Sequence, residues 1–331
     1  MKFGPFGRTG LQVSRLAIGT ATFGNQTDEA TSHAMLDKAA AAGINFIDTA
    51  DAYPIGADLG MVGRTEEITG RWLAGQRHKF IVGTKVASPM GAAAWDQGVS
   101  RKHLLDGIDA SLRRLGTDYV DLYSLHFDDA SVPLEESAEA MDVIVRHGKA
   151  RYIGVSNFLA YRLARAIGIQ ETRRLTRYVC IQPRYNLLFR EIERELLPLT
   201  LEEGVAVTPY NPLAGGLLSG RYKNQDQPNQ GRFSMAHGAF GKIYQDRYWN
   251  DRTFSAVDML GTIARQNNMG LPAMAIGWML AHPAITSVIL GASKVEQLDA
   301  TLGAADQAID PALKLQLDEL TTEFRRGDAV R

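Results

Sequence analysis

The strongest constraint on the fold is an alternation that runs from Leu16 to the end of the chain. Short β-prone runs are separated by segments whose apolar residues recur at helical spacing, the pattern of βα units feeding a parallel sheet. Eight such runs stand out: Leu16 to Gly19, Asn45 to Asp48, Phe80 to Lys85, Tyr119 to His126, Tyr152 to Ser156, Tyr178 to Gln182, Ala206 to Asn211 and Ser287 to Leu290. Helices are predicted near 28–42, 65–75, 134–147, 159–176 and 189–203. The clearest signal is over Ser100 to Gly116, where Ser100 can cap the start, Leu104, Ile108, Leu112 and Leu115 share one face, and Gly116 supplies a left-handed stop. Eight units with no polar linker between them predict one domain spanning residues 1–331, a closed α/β barrel of the (β/α)8 TIM type, and not two lobes. Ahead of it, turn residues at Gly4-Pro5 and Gly7-Arg8-Thr9-Gly10 predict an N-terminal β-hairpin that plugs one barrel end.

The regular pattern breaks between barrel strands seven and eight, where Asn211 to Thr286 is far longer than one crossover requires. Two helical segments are predicted there, roughly 254–268 and 272–282. They follow a long loop rich in Gly, Gln and Asn that also carries Phe233, Phe240, Tyr244, Tyr248 and Trp249. Long irregular segments in compact domains are usually lids or binding loops, and interspersed aromatics argue against disorder. The balance of 36 basic and 37 acidic residues, with no long like-charge run, leaves no electrostatic footprint for nucleic acid or an anionic membrane. The one cysteine, Cys180, lies in an apolar run, so neither an internal disulfide nor a multi-cysteine metal site can form. No stretch approaches ~18 apolar residues and Met1 to Arg8 lacks an apolar signal core. A cytoplasmic protein is the expectation.

Four of the β-prone runs end on residues that carry chemistry. Asn45-Phe46-Ile47 leads into Asp48, with Tyr53 five residues later in a loop; the next two runs end at Lys85 and His126. In a parallel barrel these four side chains converge on the carboxyl-terminal face, where such folds build their sites. A phenol with an ordinary pKa of about 10 is a sluggish acid unless its anion is stabilised. Lys85 beside Tyr53 is expected to lower that pKa, and Asp48 to hold the ammonium in place and keep it charged. His126 could orient a carbonyl oxygen or offer a second proton route. The set suits protonation of a developing alkoxide and lacks a strong nucleophile. Taken singly, each residue has an ordinary reading: a turn cap, a packed ring, a solvated ammonium.

Longer motifs carry a resemblance. Gly7 to Ser14, Gly43 to Tyr53, Gly83-Thr84-Lys85, Leu122 to His126, Gly154 to Phe158, Ile181 to Asn186, Tyr210 to Gly216 and Gly291 to Lys294 occur in order along nearly the whole chain. Together they resemble the aldo-keto reductase family. The resemblance implies a (β/α)8 barrel that uses NADPH/NADP+, with Tyr53 as general acid, Asp48, Lys85 and His126 as its partners, and hydride passing from nicotinamide to a carbonyl carbon.

It also implies a cofactor path. Gly19 and Thr20 stand at the exit of the first barrel strand. Ser156, Asn157 and Gln182 suit a carboxamide, and Tyr210 offers a flat face for a nicotinamide. Asn211, Pro212, Leu213, Gly215, Gly216, Ser219 and Arg221 combine close backbone approach with a hydroxyl and a cation for a pyrophosphate. Gly291, Ser293 and Lys294 are expected to open a helix that takes a 2′-phosphate, with Arg232 as a further phosphate contact and Gln297 on the adenine side. Leu290, Ala300 and Thr301 depart from the family pattern there, where a proline, an acidic residue and an asparagine are common. Trp95, Phe127, Asp128 and Asp129, with the aromatics of the long loop, are expected to shape the substrate pocket alongside the loop Pro54 to Gly63.

The partner is then a small-molecule carbonyl compound such as an aromatic aldehyde, quinone, steroid-like ketone or oxidised sugar, with no nucleic acid and no membrane. A reading from a different class is a regulatory protein that keeps barrel and cofactor but turns over little, like the potassium-channel β-subunit relatives. A metal-dependent barrel enzyme needs several His and acidic ligands around one centre. Of seven histidines only His126 falls at a strand exit; His33, His78, His103, His147 and His282 map to helices or their flanks and His237 to the long loop. No metal is expected.

Overall fold

A computed structural model describes residues 1–56, 58–223, 231–234 and 239–325. The expectations attached to His237 and to the Phe240 side chain lie outside the described residues. Strands β1 (Phe3–Pro5) and β2 (Gln12–Ser14) form the antiparallel hairpin. Eight parallel strands follow: β3 (Leu16–Gly19), β4 (Phe46–Asp48), β5 (Ile81–Val86), β6 (Val120–Leu125), β7 (Ala150–Ser156), β8 (Tyr178–Gln182), β9 (Ala206–Val207) and β10 (Val288–Leu290). They hydrogen-bond in the order β10-β3-β4-β5-β6-β7-β8-β9. A parallel bridge between Val207 and Ile285 and the bond from Ile289 N–H to the Pro209 carbonyl draw the two ends together. The chain is a (β/α)8 barrel.

Helices α1 (Glu29–Ala41), α2 (Arg64–Leu73), α3 (Arg101–Leu115), α4 (Leu134–Arg146), α5 (Ala160–Thr172) and α6 (Leu196–Glu203) return the chain between strands. Ser100 caps α3 by accepting from the His103 N–H at 3.3 Å, and Gly116 ends it at φ 63°. The helix expected over 189–203 is shorter: a single 3-10 turn at Glu191–Glu193 precedes α6. Pro198 lacks an N–H and is tolerated only in a first turn, which fixes the start of α6 close before it. Barrel strand seven also shrinks, from the expected Ala206–Asn211 to Ala206–Val207, because Pro209 and Pro212 cannot donate to a ladder. The segment after it holds a 3-10 run at Ala214–Ser219 and three helices, α7 (Ala239–Tyr248), α8 (Asp251–Gln266) and α9 (Leu271–Leu280). Helix α7 was not expected from the sequence. No described helix is long and apolar enough to cross a membrane.

Inside the barrel, Ala17, Phe46, Ile81, Leu122, Cys180, Ala206 and Ile289 form a buried cluster with Phe6 and Val13 of the hairpin. The Phe6 ring meets Phe46 edge to face at 5.9 Å between centroids. The hairpin therefore closes the amino-terminal end, and the opposite mouth, where the strands end, is left for a site.

Candidate active site

Asp48 is the last residue of β4, paired in register with Gly19 on one side and Gly83 on the other. Its backbone carbonyl accepts from both the N–H and the hydroxyl of Thr20 at 3.0 Å, which fixes the strand end. Lys85, on β5 and 1% exposed, donates to Asp48 Oδ2 and to the Thr49 carbonyl, each at 2.7 Å. Asp48 Oδ1 accepts from Gln182 Nε2 at 2.9 Å. Both carboxylate oxygens are thus occupied in a buried environment, the condition under which an ion pair is held in one geometry.

The loop after β4 brings Tyr53 back over this pair: the Lys85 ammonium lies 5.3 Å from the Tyr53 ring centroid. His126, immediately after β6, is set by its backbone N–H bond to the Val86 carbonyl at 2.8 Å. Its ring stands edge to face with Tyr53 at 5.8 Å and stacks on Phe127 at 5.4 Å. All four residues expected to act together are in one constellation.

Burial raises the Tyr53 phenol above its ordinary value, and the opposing pull of Lys85 offsets only part of that rise. The expected net lowering by Lys85 is corrected on this point: the ammonium keeps the anion within reach, but desolvation wins. For Lys85, burial is the largest influence and works against the charge, but Asp48 and Tyr53 together outweigh it, so the ammonium is held more firmly than usual. Burial, helped by Lys85, pushes His126 down to about 3. The imidazole is therefore neutral near pH 7, which removes the expected second proton route through an imidazolium and leaves a hydrogen-bonding role. Its buried Nδ1 has no partner among the described residues.

A cavity of about 720 Å³ opens above these groups. Ser156, Asn157, Gln182 and Tyr210 line its middle. Asn157, at φ 60°, donates through Nδ2 to the His126 carbonyl at 2.9 Å and accepts the Tyr210 hydroxyl at 2.9 Å. The far end is lined by Asn211, Pro212, Leu213, Gly215, Gly216, Ser219 and Arg221 on one side and by Gly291, Ser293 and Gln297 on the other, with Gly19 between. Gly215 and Gly216 lie at φ 72° and 102°, and a Cβ on Gly215 would stand 2.7 Å from the Tyr244 ring, so neither chirality nor space admits a side chain there. The Asn211 side chain accepts from the Gly215 N–H at 2.6 Å and pins the turn.

Several expected site residues do not line the cavity, Lys85 among them, since its ammonium is turned to Asp48 and the Thr49 carbonyl. Thr20 is buried beneath it, engaged with Asp48. Trp95 is exposed. Asp128 is held by a two-pronged ion pair with Arg162, both contacts at 2.6 Å, and its neighbour Phe127 is the pocket-facing residue. Lys294 is exposed, and the helix expected after it is only a 3-10 turn, Val295–Leu298, followed by the four-residue α10 (Asp299–Leu302). So short a run lacks an aligned dipole, and whatever attraction this turn has for an anion comes from the ammonium.

Sequence reasoning missed two features. Arg247, on α7, lines the cavity beside Tyr244, which was expected there among the aromatics of the long loop. Beneath it, Asp51 is 1% exposed, with neither carboxylate oxygen hydrogen-bonded among the described residues, near the buried Glu66 that accepts from Thr84 at 2.5 Å and Arg114 at 2.7 Å. Burial, then the charge of Glu66, pushes the Asp51 carboxyl well above its ordinary range. A second acidic residue within the Asp48-to-Tyr53 motif was the available signal.

The model of the aldo/keto reductase family matches residues 15–321, and the chain belongs to this family of oxidoreductases. The chain is 37% identical over 311 residues to a rice (Oryza sativa subsp. japonica) protein named a probable voltage-gated potassium channel subunit beta, covering 92% of each. It is 36% identical over 327 residues to the uncharacterized oxidoreductase YrpG of Bacillus subtilis, covering 97% of this chain and 96% of that one. Protein tas of Escherichia coli is 36% identical over 321 residues, covering 90% of this chain and 91% of its own.

Proposed function

We propose that the protein is an NADPH-dependent carbonyl reductase in which Tyr53 protonates the carbonyl oxygen. The observation that carries this reading is the buried Asp48–Lys85 pair beneath Tyr53, with a neutral His126 alongside, where Asp48, Tyr53 and His126 face one cavity. A dinucleotide fits the rest of that cavity. The glycine turn at 215–216 gives close backbone approach, Arg221 and Arg232 line the wall as cations for phosphates, and Tyr210, Asn157 and Gln182 offer a ring face and amides for a nicotinamide. When bound, the reduced nicotinamide supplies hydride to the carbonyl carbon.

The chain's own residues do the remainder. Tyr53, whose ordinary pKa of about 10 is raised further by burial, holds its proton throughout the neutral range. As charge develops on the substrate oxygen, Tyr53 delivers that proton and Lys85 stabilises the phenolate left behind. Asp48 and the Thr49 carbonyl fix the ammonium so that little reorganisation is required during the transfer. His126, neutral, orients the same oxygen by hydrogen bonding.

Ser293 and Gln297, with Lys294 beside them, take the adenosine end, and Lys294 favours a 2′-phosphate. On this reading Lys294→Ala raises the dissociation constant for NADPH more than that for NADH; equal effects would remove Lys294 from the phosphate site. The names of the plant relatives favour a second reading, a cofactor-binding subunit with little turnover. Stopped-flow mixing of the NADPH complex with a panel of aldehydes separates the two. Oxidation of the bound cofactor supports the reductase, and tight NADPH binding with no hydride transfer to any aldehyde supports the subunit.

A further inference from the structure

Three arginines, Arg221, Arg232 and Arg247, line the cavity. Among the described residues its one carboxylate is Asp48, whose oxygens are taken by Lys85 and Gln182. Arg221 lies beside Gly216 and Arg232 beside Gly291, at the end assigned to the phosphates. Arg247 is different. It lines the cavity from the last turn of α7, packs 5.7 Å from the Tyr244 ring centroid, and has no carboxylate partner among the described residues. Arg184, also without a carboxylate among the described residues, stacks 3.5 Å over Phe189 and lies 5.9 Å from the Tyr248 ring.

Several other partly or fully buried arginines are paired with a carboxylate: Arg77 with Asp121, Arg114 with Glu66, Arg162 with Asp128, Arg190 with Glu193. Arg15 instead donates to the Leu280 carbonyl. Arg184 and Arg247 have no counter-charge among the described residues. Their fields converge on Tyr210. Tyr210 is joined through Asn157 to the His126 carbonyl, so this positive end of the cavity adjoins the reacting end.

We propose that the carbonyl substrate carries a carboxylate that Arg247 binds, with Arg184 reinforcing its field, while the carbonyl reaches Tyr53 and His126. This rests on the carbonyl reductase reading. A guanidinium binds a carboxylate by two parallel charge-assisted hydrogen bonds, which gives orientation as well as affinity.

The test compares 4-formylbenzoate with its methyl ester, equal in reactive group and differing in charge. In the wild-type enzyme kcat/KM favours the anion by tenfold or more; Arg247→Gln cuts that ratio at least tenfold, about 1.4 kcal/mol, and Arg247→Lys retains part of it. The affinity of the NADP+ complex for 4-(hydroxymethyl)benzoate, measured by calorimetry, falls in step. A ratio that does not move in Arg247→Gln overturns the proposal. So does an unmoved ratio with a weakened NADPH affinity, which assigns Arg247 to a cofactor phosphate. Reduction of both aldehydes with equal kcat/KM by the wild type keeps the reductase and removes the anion site. Preferential binding of the carboxylate with no reduction of either aldehyde keeps the anion site and removes the reductase.

Discussion

Tyr53, Lys85 and His126 share one buried space, and their charge states follow from how each meets the loss of water. A neutral phenol and a neutral imidazole tolerate burial; an ammonium does so only because Asp48 opposes it at 2.7 Å. With the His126 pKa pushed down to about 3, its own titration falls outside pH 5.5 to 8.5. The rate of carbonyl reduction is accordingly expected to be flat across that range and to fall only above the ordinary tyrosine value of about 10. A pH profile of kcat/KM checks this, and a transition near 6.5 that disappears in His126→Asn contradicts it. Asp51 makes a separate, thermodynamic prediction. Its carboxyl is raised in the folded state, so the unfolded chain releases the proton first. The resulting cost is absent below the unfolded value of about 3.9 and grows as pH rises toward the folded one. Asp51→Asn is then stabilising at pH 7 and close to neutral at pH 4. Denaturant unfolding at the two pH values measures the difference, and equal destabilisation at both contradicts a neutral Asp51.

At the scale of elements, the hairpin and the catalytic loops occupy opposite ends of the same barrel, so stability and chemistry separate. Phe6 fills the closed end against Phe46. Phe6→Ala removes a large buried ring and is expected to cost about 3–5 kcal/mol, read by denaturant unfolding; a cost under ~1 kcal/mol, below the range for buried aromatic truncation, would mean that the hairpin does not seal the barrel. The alternation that predicted the barrel was legible because βα units need opposite faces of each element buried. Two elements were misjudged for local reasons. Barrel strand seven reads as long as its apolar run, but prolines at 209 and 212 remove the donors that would extend the ladder. Helix α7 carries Gly241 and mixes aromatics with charges, so no apolar stripe announced it, although its residues Tyr244 and Arg247 form part of the cavity wall.

For the whole molecule, convergence is the property the sequence gives least directly. Asp48 and Lys85 are 37 positions apart, and Gln182 is 134 positions from Asp48, yet all three meet in one hydrogen-bonded group. Strand-exit position was enough to group the tetrad. It did not give the balance between desolvation and Coulomb attraction at Tyr53, because depth of burial is a property of the closed barrel. Nor did it exclude Asp128, whose carboxylate is claimed by an arginine from another element. The central claim is that Tyr53 is the proton donor and not a cofactor contact. It is tested most directly by the rate at which an aldehyde oxidises pre-bound NADPH in wild type and in Tyr53→Phe, with the NADPH dissociation constant measured on the same samples. The account predicts a loss of rate of about 10²–10⁴-fold with NADPH affinity nearly unchanged; a near-normal rate accompanied by weakened NADPH binding would contradict it.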